Sequence, residues 1–295
     1  AVTVIVELQA RFDEENNIYY ANKLQEEGIK VNFGIAGLKV HTKIILIRRK
    51  ETNKNVYYAH IGTGNFNEKT SEIYCDHSFL TANTKITNEV KKVFAFFKDN
   101  YKRHVFRYLL VSPFNTRRQF IKLVKTEIAN ARAGLPAGVT IKVNNLNDEE
   151  MANVLYEASE AGVKVNLIVR SICNVIPQQA YSENIHAISL VDRLLEHSRV
   201  MIFTNAGDAK VYIGSADWMT RNIDRRVEVT VPIFDPAIKQ ELIDMINIQL
   251  KDNTKSRVWN ADLSNTYVVT GSDKEMRAQI ATHEYLKKKL ETKKS

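Results

Sequence analysis

The chain has 295 residues, 44% of them hydrophobic and 26% charged, enough apolar side chains for two cores. Its 42 Lys+Arg against 34 Asp+Glu leave a formal charge of +8, which favours polyanionic partners: nucleic acid, anionic headgroups, nucleotides or inorganic polyanions. No run approaches the roughly 18–20 apolar residues of a membrane span, and nothing at the start resembles a signal peptide. With only Cys75 and Cys173, neither a disulfide framework nor a Cys/His zinc site is available, and the chain reads as soluble and cytoplasmic.

The chain opens directly on a β-rich run without Met, like a piece of something longer. Residues 2–8 read as a strand, 13–27 as a helix closed by Gly28, and 29–34 as a second strand. This βαβ order predicts a largely parallel sheet. Residues 43–49 and 56–61 are β-rich and joined by the turn-forming TNKN of 52–55, a hairpin. Residues 88–97 are apolar at helical spacing. A long helix is predicted to begin with Ser112 as cap and Pro113 in its first turn and to run to about 132. The order then restarts: strand 139–143, helix 148–161 ended by Gly162, strand 163–169, with residues 27–32 matching 161–166 at a constant offset of 134. Two domains are expected, 1–110 and 111–295, with a helical junction at about 105–138. The closing Lys287, Lys288, Lys289, Lys293 and Lys294 read as a solvated helical end.

The duplication also carries the chemistry. His41 and Lys43 precede an apolar strand and then the turn Gly62, Thr63, Gly64, Asn65. His197 and Arg199 likewise precede a strand and the turn Gly214, Ser215, Ala216, Asp217. Asp76 and Glu228 each lie 14 residues after the first glycine of their turn. Residues two apart on a strand share a face, so each histidine and its cation can converge on one phosphoryl group. One imidazole can attack phosphorus while the other carries a proton or binds the incoming phosphate, and Lys43 and Arg199 offset charge on the oxygens. Thr63 and Ser215 are candidate donors, and Asp76 and Glu228 are candidates to accept from the far ring nitrogens of His41 and His197.

These paired elements resemble the phospholipase D superfamily, whose two half-sites meet across a pseudo-twofold axis. The finer resemblance is to the polyphosphate kinase family, over residues 41–46 (HTKIIL), 58–70 (YAHIGTGNFNEKT), 188–197 (ISLVDRLLEH) and 215–224 (SADWMTRNID), and it extends over essentially the whole chain. It implies two phospholipase D-like α/β domains, each a mixed, mostly parallel sheet flanked by helices and related by duplication. It further implies reversible transfer of the terminal phosphate of ATP to inorganic polyphosphate through a phosphohistidine, with Mg²⁺.

On that resemblance His41 matches the phosphorylated histidine and His197 the second one, whose part as acid, base or second carrier stays open. Tyr74, Arg170 and His197 match ATP-site positions, and Arg11, in ELQARFDEE, matches the magnesium-phosphate site. An arginine has no lone pair for a metal, so Arg11 would grip phosphate oxygens beside the ion. ATP, ADP and polyphosphate are the expected partners, with no nucleic acid, at most peripheral membrane association, and homo-oligomers when complete. The family has N-terminal regions of its own that this sequence is expected to lack, so the chain alone is expected to bind phosphate but to be a weak or inactive kinase. Phospholipases usually carry Asp five residues after the cation, where this chain has Arg48 and Thr204. That departure counts against the alternative of a phosphodiesterase or phosphatidyltransferase. Intact paired histidines count against a non-catalytic polyanion-binding module.

Overall fold

In the computed structural model, which describes residues 1–8, 14–102, 104–269 and 274–292, the chain begins with β1 (Thr3–Val6), α1 (Glu14–Glu26) and β2 (Lys30–Phe33), the two strands parallel. Gly28 ends the helix at φ +73°, a conformation open to glycine because it has no Cβ. A two-residue strand β3 (Lys39–Val40) leads to the hairpin β4 (Lys43–Glu51) and β5 (Lys54–Gly62). Short α2 (Glu68–Ser71), β6 (Tyr74–Cys75), β7 (Ser78–Thr81) and α3 (Thr84–Lys98) follow. Strands β4, β5 and β7 make a three-stranded antiparallel sheet.

The second run comprises β8 (Leu110–Ser112), α4 (Thr116–Arg132), β9 (Gly138–Leu146), α5 (Glu149–Glu160), β10 (Lys164–Cys173), β11 (Ile185–Leu190) and β12 (Leu195–Glu196). It continues with β13 (Arg199–Phe203), β14 (Lys210–Gly214), α6 (Thr220–Arg225), β15 (Arg226–Ile233), α7 (Pro236–Leu250), β16 (Ser256–Val258) and α8 (Ala278–Thr292). The order β16-β11-β10-β9-β13-β14-β15-β3, with β8 also on β15, forms one large sheet. It is mixed: β9, β10 and β11 run parallel, while β13, β14 and β15 pair antiparallel. The antiparallel share is larger than the βαβ reading predicted, because short connections between these strands permit only antiparallel pairing.

The long helix starts at Thr116, not at Ser112. Ser112 ends β8, opposite Glu228 on β15, and Asn115 stands at the cap, its side-chain oxygen accepting from Val111 N at 2.7 Å. A three-residue strand is too short to show a period, so the sequence gives it no signal. Glu89 of α3 fixes the approach to β8 by accepting from the backbone N–H groups of Arg107, Tyr108 and Leu109.

Two apolar clusters hold the sheet. In one, Phe120, Val124 and Leu155 of α4 and α5 pack on Ile141, Leu167 and Trp218. The other joins the two halves: Ile61, Ile86, Val90 and Val93 meet Val200, Ile213, Val229, Val231 and Leu242. Burial of each such side chain contributes about 1.5–3 kcal/mol, so the halves are fused through a common core. Lys287 and Lys288 are exposed on α8 and Lys289 pairs with Glu241 at 2.7 Å; Lys293 and Lys294 lie outside the described residues. Among the described residues no helix is long and apolar enough to cross a membrane.

Candidate active site

Two short parallel ladders cross between the halves and place the histidines. In one, Lys39 and Val40 of β3 pair with Arg226 and Val227 of β15, which brings His41 level with Glu228. In the other, Leu195 and Glu196 of β12 pair with Tyr74 and Cys75 of β6, which brings His197 level with Asp76. Backbone bonds extend both registers: His41 N and Thr42 N donate to Val227 O, each at 3.0 Å, and His197 N and Ser198 N donate to Cys75 O. His41 Nδ1 then lies 2.9 Å from Glu228 Oε2, and His197 Nδ1 lies 2.9 and 3.0 Å from the two oxygens of Asp76. Each half thus supplies the acid that orients the other half's imidazole. Glu228 is on a strand as expected; Asp76 falls just after β6, in the break before β7.

The glycine turns hold the acids. Ser215 Oγ donates to Glu228 Oε2 at 2.5 Å and Asn222 Nδ2 donates to Oε1 at 2.7 Å, while Thr63 Oγ1 donates to Asp76 Oδ1 at 2.5 Å. Both hydroxyl protons are therefore committed to carboxylates, which corrects the expectation that Thr63 and Ser215 donate to a ligand. A Cβ on Gly64 would collide with the Asp76 carboxylate, so this turn requires glycine for close approach.

The two cations are arranged alike but are not equivalent. Lys43 Nζ donates to the carbonyl oxygen of His41, and Arg199 NH1 donates to that of His197 at 2.8 Å. Arg199 also places its Nε 3.1 Å from Asp217 Oδ1, itself held by Asn144 N and Asn145 Nδ2. Asn65, at the matching place in the first turn, is exposed. Lys43 is buried, and burial above all, opposed by Glu228 and reinforced by Arg199, brings its pKa down to about 7.

The two imidazoles share a protonation state but differ in what engages Nε2. Burial lowers the pKa of His41 despite Glu228, and that of His197 despite Asp76, so both are neutral at pH 7. Burial works to raise Glu228 and Asp76, but His41, Lys43 and Ser215 together around the first, and His197, Thr63 and Arg199 together around the second, leave both acids below their ordinary values. An ionised carboxylate only accepts, so each Nδ1 carries the proton and each Nε2 a lone pair. The guanidinium of Arg199 donates to His197 Nε2 at 3.1 Å. Among the described residues nothing hydrogen-bonds His41 Nε2, which leaves it the freer nucleophile.

Tyr74 and Arg170 both converge on the His197 side. The Tyr74 ring centroid is 4.9 Å from that of His197, and Arg170 Nε donates to Asn144 Oδ1 at 2.9 Å, while Asn144 Nδ2 donates to His197 O at 3.3 Å. Arg170 lies inside β10, which runs on past an irregularity to Cys173, rather than at a strand end. Sequence reasoning missed Asn144, Asn145 and Asn222. The first two stand at the carboxyl end of a parallel strand, where ligand sites gather. Arg11 lies outside the described residues. Among the described residues no cluster of three or more His, Cys, Asp or Glu could hold a metal.

The families described as polyphosphate kinase C-terminal domain 1 and C-terminal domain 2 match residues 1–103 and 109–279. The chain belongs to the polyphosphate kinase family. It is 55% identical to the polyphosphate kinase of Escherichia coli K12 over 287 residues, which are 97% of this chain and 42% of that protein. The chain therefore spans less than half the length of that polyphosphate kinase. The crystal structure of polyphosphate kinase from Porphyromonas gingivalis is similar at a TM-score of 0.91 and 40% identity, over 99% of this chain and 45% of that one. Phosphatidylserine synthase of Haemophilus influenzae matches at a TM-score of 0.52 and 10% identity, over 99% of this chain and 89% of that one. This last likeness bears on the fold alone.

Proposed function

We propose that this chain carries the catalytic site of a polyphosphate kinase and transfers the terminal phosphate of ATP, reversibly, to inorganic polyphosphate through a phosphohistidine at His41. The observation that carries the reading is the pair of carboxylate-oriented imidazoles of which one Nε2, among the described residues, is unengaged. In the first step the His41 Nε2 lone pair forms a bond to the γ-phosphorus while the bond from that phosphorus to the β-γ bridging oxygen breaks, releasing ADP. The Nδ1 proton stays between His41 and Glu228, which stabilises the positive charge that develops on the ring. In the second step a terminal oxygen of polyphosphate displaces His41 from phosphorus.

Lys43 and Arg199 offset charge on the transferring oxygens. Tyr74 and Arg170 hold the nucleotide beside His197. Asp76 and Glu228 already serve histidines and hydroxyls, so a protein-only magnesium cage does not fit the described residues. Mg²⁺ fits as an ion carried by phosphate oxygens, neutralising their charge, with Arg11 gripping those oxygens. The division into residues 1–110 and 111–295, the cytoplasmic location and self-association of the complete protein belong to the same reading.

The test uses a protein that joins this chain to the further length its relatives have, incubated with γ-labelled ATP and Mg²⁺. An acid-labile, base-stable label on His41, lost in His41→Ala and chased by polyphosphate or ADP, is expected. Absence of label from every histidine would refute the proposal.

A further inference from the structure

The two cross-half ladders are supported differently. Beside His41, Val40 faces Val227, and both strands belong to the large sheet. Beside His197, Glu196 faces Cys75 in a separate sheet of two strands, each two residues long. A ladder this short has no neighbouring strand to fix its register.

Glu196 is 3% exposed, and a buried carboxylate is costly unless paired and hydrogen-bonded. Its Oε2 lies 2.6 Å from Lys142 Nζ of β9, itself buried, and the same ammonium donates to Ser198 Oγ at 2.9 Å. These bonds bracket His197 in the sequence. Glu196 Oε1 accepts from Gln279 Nε2 of α8 at 2.8 Å. Gln279 also donates to Leu194 O at 2.8 Å and accepts from Leu194 N at 3.1 Å. The start of α8 is fixed in turn: Arg277 grips Asp192, with NH2 2.6 Å from Oδ1 and Nε 2.9 Å from Oδ2, and Ala278 N donates to Asp252 at 2.6 Å.

We propose that Glu196, Lys142 and Gln279 are positioning residues for His197: the first turn of α8 latches onto residues 192–196 and holds the β6–β12 ladder in the register that sets His197 Nδ1 on Asp76. The first half has Val40 where the second has Glu196, so the device serves one histidine of the pair. The inference rests on the phosphohistidine reading for its catalytic consequence alone; the positioning itself has its own measurement.

Gln279→Ala removes the bonds from α8 to Leu194 and Glu196 and leaves the Lys142–Glu196 and Arg277–Asp192 pairs intact. In the 295-residue chain, ring ¹⁵N–¹H correlations are expected to give His197 as the Nδ1-protonated tautomer, and Gln279→Ala to convert it to an averaged mixture with His41 unchanged. In the completed protein the rate of label transfer to His41 is expected to fall about tenfold or more, as it does when a reacting group is misplaced. In an Asp76→Asn background the same substitution is expected to cost less than about twofold, because the two changes act through one contact. Gln279→Asn, which keeps the amide but shortens its reach, gives the same readings if the alanine variant does not fold. An unchanged His197 tautomer overturns the positioning proposal whatever the labelling rate does. A shifted tautomer in a protein that never labels supports the positioning and refutes the phosphohistidine reading.

Discussion

Lys43 gives the most direct electrostatic test of the site. It is 6% exposed, and burial first of all, with Glu228 opposing and Arg199 adding, holds its ammonium at a pKa of about 7. At pH 8 about one molecule in ten carries this proton, and at pH 6 about nine in ten. A phosphate entering the site supplies the negative charge that returns the group toward its ordinary 10.5, a gain of up to about 5 kcal/mol from this one residue. Binding of tripolyphosphate at pH 8 is therefore expected to take up about 0.9 of a proton at Lys43, and at pH 6 about 0.1. Affinity is expected to fall nearly tenfold from pH 8 to pH 9 as a result. Calorimetry in buffers of different ionisation heat counts the protons. Lys43→Arg keeps a charge that cannot titrate, so it isolates the lysine from any uptake by His41 and His197. Equal uptake at both pH values, or uptake at pH 8 that survives Lys43→Arg, would refute the reasoning.

Glu228→Gln replaces an acceptor-only group by an amide and frees His41 to reverse its tautomer; the rate of His41 labelling is expected to fall about 10³–10⁴-fold, and a loss under about tenfold would count against the orienting role. Asp217→Ala leaves Arg199, 3% exposed, without its carboxylate and is expected to cost about 3–5 kcal/mol in urea unfolding; a loss below about 1 kcal/mol would mean that water or another oxygen takes its place. The site's contribution to stability is also expected to fall as pH drops, first through Lys43, whose folded value of about 7 lies below its ordinary 10.5, so that the unfolded chain takes up its proton first, and then in two further stages. His41 and His197 have folded values below 6.5, so the unfolded state gains protons first as pH drops through 6.5. Glu228, Asp76 and Asp217 have folded values below those of the unfolded chain, so their stabilisation is complete above about pH 5 and is lost as pH falls through the folded values. Denaturant midpoints between pH 8 and pH 5 are expected to decline, and His41→Asn is expected to flatten the part near pH 6.

The components of the site were legible because each is a local pattern: His-x-Lys, His-x-Arg, the two glycine turns and the 14-residue spacing to an acid. Their assembly was not. Which acid meets which histidine is decided by β3, β6 and β12, two residues each, and a two-residue strand has no periodicity to read. The same limit hid β8 and displaced the start of α4. The hydroxyls of Thr63 and Ser215 read from the sequence as donors to a ligand, because nothing local shows that the carboxylates 13 residues on take their protons. Lys142 and Glu196 were invisible for another reason: they lie 54 residues apart on strands of different sheets, and only the fold brings their side chains together as a buried pair.

The crossed acids change what the duplication means. If each half oriented its own histidine, either half could in principle keep a competent imidazole. Here removal of one half takes away the carboxylate that sets the tautomer of the other's ring, so neither half is chemically complete. The pseudo-symmetry is then broken where the chemistry calls for different roles. Lys43 can gain a proton as phosphate binds, whereas Arg199 is permanently charged and fixed by Asp217. Asn65 leaves its turn without the acid that Asp217 supplies. Val40 beside His41 faces Val227, whereas Glu196 beside His197 is tied to α8. Each difference falls on the same side: among the described residues nothing hydrogen-bonds His41 Nε2, while His197 has its Nε2 engaged by Arg199 and its strand anchored by a buried ion pair. On the proposed reading these asymmetries leave one imidazole to receive the phosphoryl group and fix the other in place, a division of labour that a perfectly symmetric pair could not provide.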